Sequence, residues 1–571
     1  MTSYRKEKNW IKPLATGRWL AFGLASLVAS VASGQQVVPL QHRWEIEPGF
    51  GDVWNINREP RAKYLNINDL KSDIANVRFE AAQNICQNYN RPGFRKSPEL
   101  LKLLVEQLGN PENSVLVKRS IVSAACLLDD GANAQAIWQA SYEDPGLAPL
   151  VENHLIRWKS PVAAEYWRKV LNDPKSSSSQ IERALDGLAQ VGQEQDRALC
   201  LSLLGAEQST PITRVTAARA LGILQNSGLV GLANDLLKSK DPNKELLASS
   251  LLANHTQEDA LSVLETVLTR GSSPAQRIAA HAIGKNFPQQ GLSRIETWVK
   301  HPDDEIRLAA LELLKNAPSE PNTRLQSRLL SDPDQVVRTR AKAQLLELCD
   351  KGFRPIVDEC ISQNLSGEAW QGIEQAIILA VELKDRSRCA RFLELIEHEQ
   401  PEVNMHAAWG LMELADDPAI ISGIVPHTQK LTAGLESGKK YPKQDIIRLS
   451  FLLEVFGRNR YEPVADMLRK YIPKSDFRMG NLSRASAIWA LGRILKDQDD
   501  PALRASLSER IRDLSSLMPE NYLVGYACIL TLGEFGFLDS MPTIDRYTLD
   551  SKDGLNSAGR WAKEQIQKAA R

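Results

Sequence analysis

Pro211-Ile-Thr-Arg-Val-Thr-Ala-Ala-Arg-Ala-Leu-Gly-Ile-Leu224 is the stretch on which the reading of this 571-residue chain turns. Val215, Ala218, Leu221 and Leu224 recur at three-residue steps, with Ala217 beside them. On a 3.6-residue turn they form one apolar face, so the spacing predicts an amphipathic helix. Pro211 suits the first turn, where its fixed φ and missing N–H cost nothing. Gly222 is unfavourable inside a helix, which points to a close neighbour at that position.

Near-copies of this helix fill most of the sequence. Ala217-Ala218 corresponds to Leu247-Ala248, Ala279-Ala280, Ala309-Ala310, the region of Ala341, and Ala407-Ala408, at steps of 30 to about 33 residues. Ala279-Ala-His-Ala-Ile-Gly284 and Ala487-Ile-Trp-Ala-Leu-Gly492 repeat the motif almost letter for letter. Second amphipathic stretches, such as Glu258–Thr269 and Leu292–Lys300, lie between the copies. Asp241-Pro242, Pro302-Asp303, Asp332-Pro333 and Asp417-Pro418 punctuate them, because a residue before proline avoids the helical region. Two helices per period of about 31 residues is the signature of an α-solenoid, here of roughly 13–15 units.

The residues Arg214-x-x-Ala217-Ala-Arg-Ala-Leu-Gly222 resemble HEAT repeats, in particular the short type named after phycobilisome lyases. The resemblance runs from about Asn76 to the C-terminus and weakens at both ends. It implies an all-α superhelix of stacked antiparallel helix pairs. It implies little about function, because the fold hosts unrelated tasks.

Composition agrees with stacked units. Aromatic residues make up 6% of the chain, and Lys+Arg equals Asp+Glu at 70 each. A balanced charge gives no global attraction to nucleic acid or an anionic membrane. The exception is residues 1–34, where Arg5, Lys6, Lys8, Lys12 and Arg18 face only Glu7. The basic stretch is followed by the uncharged, largely apolar run Trp19–Val31 and by Ala32-Ser33-Gly34. This order predicts a secretory signal peptide cleaved after Gly34, or after Ala32 as the competing choice. An uncleaved membrane anchor is the alternative, although 13 residues fall short of the roughly 20 that span a bilayer.

Residues 35–70 do not fit the repeat. Their Trp44, Phe50, Trp54 and Tyr64 are read as a cap over the first repeat, since solenoid ends need covering. The regular array is expected over 71–433. Gly434–Gln444 is a linker or long loop, and 445–571 continues with a longer period.

Chemistry-bearing motifs are sparse. The seven cysteines contain no Cys-x-x-Cys, and their reading is small buried hydrophobes. Cys349–Cys360 and Cys360–Cys389 are the pairs to check for a disulfide. Relatives of these repeats include a di-iron hydroxylase with several His-Glu dipeptides, whereas this chain has only His398-Glu399, and His281 and His406 precede alanine. No metal or other cofactor is expected. Asp303-Asp304 and Asp416-Asp417 read as helix caps.

One position stands out. Arg219, just after the alanine pair, lies about 145° from the centre of the apolar face and is expected to be exposed. Its equivalents in this register are Ser249, His281, Leu311, Trp409 and Trp489. Trp409 and Trp489, with His281 and Arg219, therefore form the candidate partner surface. The expected function is a non-catalytic scaffold that holds another protein. A lyase-type enzyme subunit and a carbohydrate-binding envelope protein are the alternatives.

Overall fold

The computed structural model describes residues 67–570, apart from 91–93, 95, 143, 207, 240, 475–476, 514–518 and 550–553. The expected signal peptide and the aromatic residues of the capping segment lie outside the described residues. Every regular element among the described residues is a helix. None of these helices is long and apolar enough to cross a membrane.

The chain forms two compact units that meet in sequence at Gln326/Ser327. In the first, α1 (Ala75–Asn88), α2 (Val115–Leu128), α3 (Ala148–Trp158), α4 (Ser178–Val191), α5 (Pro211–Leu224), α6 (Pro242–Leu252), α7 (Ser273–Asn286) and α8 (Asp304–Asn316) stack side by side as one layer. Intervening helices, among them Glu194–Gly205 and Glu258–Arg270, make the other layer. In the second unit the first layer is α9 (Gln335–Leu348), α10 (Trp370–Glu382), α11 (Pro401–Leu414), α12 (Lys443–Arg458), α13 (Asn481–Ile494), α14 (Tyr522–Phe535) and α15 (Gly554–Ala569). Each unit is thus a stack of antiparallel helix pairs, the α-solenoid that the period predicts. Residues 437–442 form the loop between helix Pro418–Glu436 and α12, inside the second unit.

Capping residues fix where these helices begin. Thr210, Asp241, Asp303 and Asp334 each accept a backbone N–H of the first turn through the side-chain oxygen, which satisfies one of the orphan donors there. Asp417 does the same for helix Pro418–Glu436. Ser177 caps α4 in a capping box with Gln180, and the helix starts at Ser178.

The caps also correct the repeat register. In several first-layer helices a polar side chain four residues after the cap reaches back to carbonyls ending the preceding segment; Glu245, four after Asp241, instead accepts from Ser272 N. Arg214 donates to Leu204 O at 3.0 Å, Gln276 to Leu268 O at 3.0 Å, and Arg338 to Asp332 O and Pro333 O at 2.7 and 2.9 Å. Arg307 and Asn404 bond the carbonyls of His301 and His398 in the same way. These contacts satisfy C-terminal carbonyls that a helix cannot satisfy itself. Counted from the caps, Ala217 corresponds to Ala248 and Ala310, not to Leu247 and Ala309. A one-residue slip turns a helix position by about 100°, so the equivalents of Arg219 become Ser250 and Glu312 rather than Ser249 and Leu311. Ser249 and Leu311 are fully buried; of the corrected equivalents Ser250 is buried too and Glu312 is half-buried.

Packing also widens the buried face. On α5 the buried residues are Thr213, Thr216, Ala217, Ala218, Ala220, Leu221 and Gly222, while Val215 and Leu224 are only half-buried. The helix is covered at once by α4, α6 and helix Glu194–Gly205. A single stripe cannot represent contact on three sides.

Gly222 has the close neighbour its sequence position implies. A Cβ there would lie 2.2 Å from the Leu251 carbonyl oxygen of α6. Gly284, its equivalent in α7, has only Leu313 side-chain carbons nearby, the nearest at 3.6 Å. Alanine gains about 0.8–1 kcal/mol over glycine in a helix, whereas overpacking costs about 1–3 kcal/mol. Gly222→Ala is therefore expected to destabilise the chain and Gly284→Ala to stabilise it by about 0.5–1 kcal/mol. Urea midpoints of both variants check this, and a shift of the same sign in both would refute the packing argument.

Candidate functional site

The sequence-selected position lies in four different environments. Arg219 is half-buried and ion-paired to Asp186 of α4. His281 is exposed, with Nε2 3.9 Å from the Glu305 carboxylate of α8. Trp409 is half-buried on α11. Trp489 is only 7% exposed, which corrects its expected place on a surface. The reason lies on the neighbouring helix: a Cβ at Gly457 of α12 would be 2.8 Å from Trp489 Cζ3 and 2.7 Å from Ala490 Cα. The missing side chain makes room for the indole. The same arrangement recurs where Trp561 and Ala562 of α15 cover Gly533 of α14. A glycine some 30 residues before a tryptophan is the sequence signal for this contact, although Trp561 itself stays half-buried.

Around Trp409 the structure shows what the sequence did not single out. A cleft of about 320 Å³ opens across the first turns of α10, α11 and α12, lined by Trp370, Glu374, Pro401, Glu402, Met405, His406 and Gln444. It exists because three consecutive first-layer helices begin at one edge of the stack. Trp370 and Pro401 are the first residues of α10 and α11, and Gln444 is the second of α12. Trp370 and Met405 are half-buried, and Pro401, Glu402 and Gln444 are exposed. Glu374 and His406 are buried, with side chains 4% and 8% exposed.

His406 organises this floor. Its Nδ1 lies 2.8 Å from the Glu402 carbonyl oxygen. A carbonyl only accepts, so Nδ1 donates and carries the proton. The Glu374 carboxylate is 3.5 Å from the same Nδ1 and accepts one hydrogen bond, from Gln375 Nε2 at 3.2 Å. On its other side the imidazole meets the Trp409 ring edge to face, at 88° and 6.2 Å between centroids. His406 thus joins the cleft to the one tryptophan of the candidate surface that keeps exposure. Sequence inspection noted His406 only as a residue lacking a metal motif.

The remaining chemistry-bearing residues take structural roles. His398 Nδ1 accepts from Gln400 N at 3.1 Å, and His301 Nδ1 from Asp303 N at 3.1 Å, each closing the turn before a first-layer helix. All seven cysteines are free thiols, so neither Cys349–Cys360 nor Cys360–Cys389 is bonded. Burial pushes the Cys126 and Cys200 thiols up to about 12 and Cys389 to about 11. They remain protonated at neutral pH and are poor nucleophiles.

No protein-family model and no curated protein matches the chain. Among solved structures it is similar to Kap121p, with a TM-score of 0.47 and 13% identity over 88% of this chain and 56% of that one. A structure of Kap95p, whose binding induces the switch loops of RanGDP to adopt the GTP-bound conformation, gives 0.44 and 14% over 87% and 71%. Importin beta in an ammonium sulfate condition gives 0.41 and 13% over 88% and 72%.

Proposed function

We propose that the protein is a non-catalytic scaffold that holds another protein, with the α10–α12 cleft and the adjoining Trp409 as its recognition surface. The observation that carries this reading is the cleft itself. It joins two partly exposed indoles and a methionine to a polar rim, the mixture of apolar anchor and polar surround typical of protein contact sites. Trp489 is left out of the surface, since its indole is spent on packing. Arg219 and His281 belong to the other compact unit, and each has its charge partner on a neighbouring helix.

We further propose that the chain is exported, on the strength of the basic, apolar and small-residue order of residues 1–34. One experiment addresses both points. The chain without residues 1–34 is used as bait on the exported fraction, beside its Trp370→Ala and Trp409→Ala variants. The expected result is a partner captured by the parent and lost by both variants at nearly unchanged melting temperature. The native protein from that fraction should begin at Gln35. Equal capture by all three baits would sink the surface assignment, and a retained Met1 would favour the anchored form.

A further inference from the structure

Three buried carboxylates of this protein are met by arginine. Glu152 (2% side-chain exposure) lies 3.4 Å from Arg183 Nε and accepts from Trp167 Nε1 at 3.1 Å. Asp196, fully buried, holds Arg168 through two bonds of 2.8 and 3.0 Å. Glu520 holds Arg484 through two bonds of 2.9 Å. Such pairing is what burial of a charge demands.

Glu374 differs from these three. It is as buried as these, yet among the described residues no lysine or arginine ion-pairs with it, and its ionisable partner is His406 at 3.5 Å. Its single hydrogen bond comes from the neutral amide of Gln375, and the nearby His406 Nδ1–H is already directed at the Glu402 carbonyl. The second carboxylate of the cleft, Glu402 on the rim, makes no ion pair with a described residue. The wall between them is Trp370, Pro401 and Met405. Two carboxylates, an indole and an aliphatic wall, with no cation among the lining residues, match the stem and charged head of a basic side chain. The first turns of three helices also converge here and favour an anion. Glu402 already stands in the first turn of α11, and an anion would have to sit beside both carboxylates, so the cation prevails.

We propose that the cleft takes a lysine or arginine side chain from an extended segment of the partner protein. Its stem lies along Trp370 and Met405 and its head between Glu374 and Glu402. This rests on the scaffold reading and adds the chemistry that the partner must present.

The test uses the full chain and three fluorescein-labelled Gly/Ser peptides that carry arginine, citrulline or glutamate at the centre. Anisotropy titration is expected to rank arginine above citrulline and glutamate. Glu374→Gln should weaken the arginine peptide roughly tenfold or more, as loss of one partner of a desolvated charge pair does, and Glu402→Gln, at the exposed rim, about two- to fivefold with a shallower salt dependence. Melting temperatures identify any variant that acts through the fold, and Glu402→Gln, at the exposed rim, keeps the test open if Glu374→Gln is unstable. Equal binding of the arginine and citrulline peptides, or no binding up to about 1 mM, overturns the proposal. If Trp370→Ala abolishes partner capture while both glutamine variants retain it, the cation chemistry is wrong and the scaffold reading stands.

Discussion

Replacing Arg484 with methionine is expected to destabilise the second unit by about 3 kcal/mol. The side chain is 1% exposed and joins three segments of chain. Its Nε donates to Tyr471 O and its Nη2 to Ile472 O, both at 3.0 Å, and its two terminal nitrogens hold the Glu520 carboxylate. Removing one partner of a buried ion pair costs about 3–5 kcal/mol because the other charge is stranded. The lower figure applies here, since Arg510 remains 3.7 Å from Glu520. The two freed carbonyls add to the loss. In a stack where each helix meets only its neighbours, the damage should be local. Hydrogen exchange is expected to accelerate in α13 and around Tyr471, with α5 to α7 unaffected. Adding Glu520→Leu should recover the part due to the stranded charge, because an apolar replacement of both partners is often neutral or better. No acceleration in α13 would mean that the arginine at this position is decorative.

A larger loss is expected from Ala280→Asp, of the order of 4 kcal/mol or more. Ala280 has no exposed surface, and α7 is flanked by α6 and α8. A carboxylate there has neither water nor a cation, and the helices must separate to admit it. His281→Gln, one residue on and exposed, should change stability by less than about 0.5 kcal/mol. Thermal unfolding of the two variants side by side measures the contrast. An unchanged melting temperature for Ala280→Asp would mean that the alanine face is not the interface between stacked helices.

The alanine face, the period and the turn residues are all legible in the sequence. They are local: small residues at helical spacing allow close approach, and Asp or Thr at a cap satisfies nearby backbone donors. What misled was treating each helix as if it had one buried side. The Arg219 position is an exposed site on an isolated wheel. In the stack its surroundings depend on the helix before and the helix after. Opposite Gly457 a tryptophan is buried; on α11 a tryptophan stays partly exposed; on α5 an arginine finds Asp186. Register misled too, because alanine pairs are easily matched one residue out, whereas the cap and the polar residue four positions later leave no such freedom.

The cleft was invisible for a related reason. Trp370, Glu374, Met405, His406 and Gln444 span 75 residues and three helices, and no spacing rule connects them. From sequence alone came the all-helical class, the two-helix unit and the small-residue seam, because each follows from side-chain size and backbone chemistry within a few turns. Tertiary structure alone decided which tryptophan is core, which carboxylate an arginine meets and where helix ends gather into a cleft, because those depend on what the neighbouring helix places opposite.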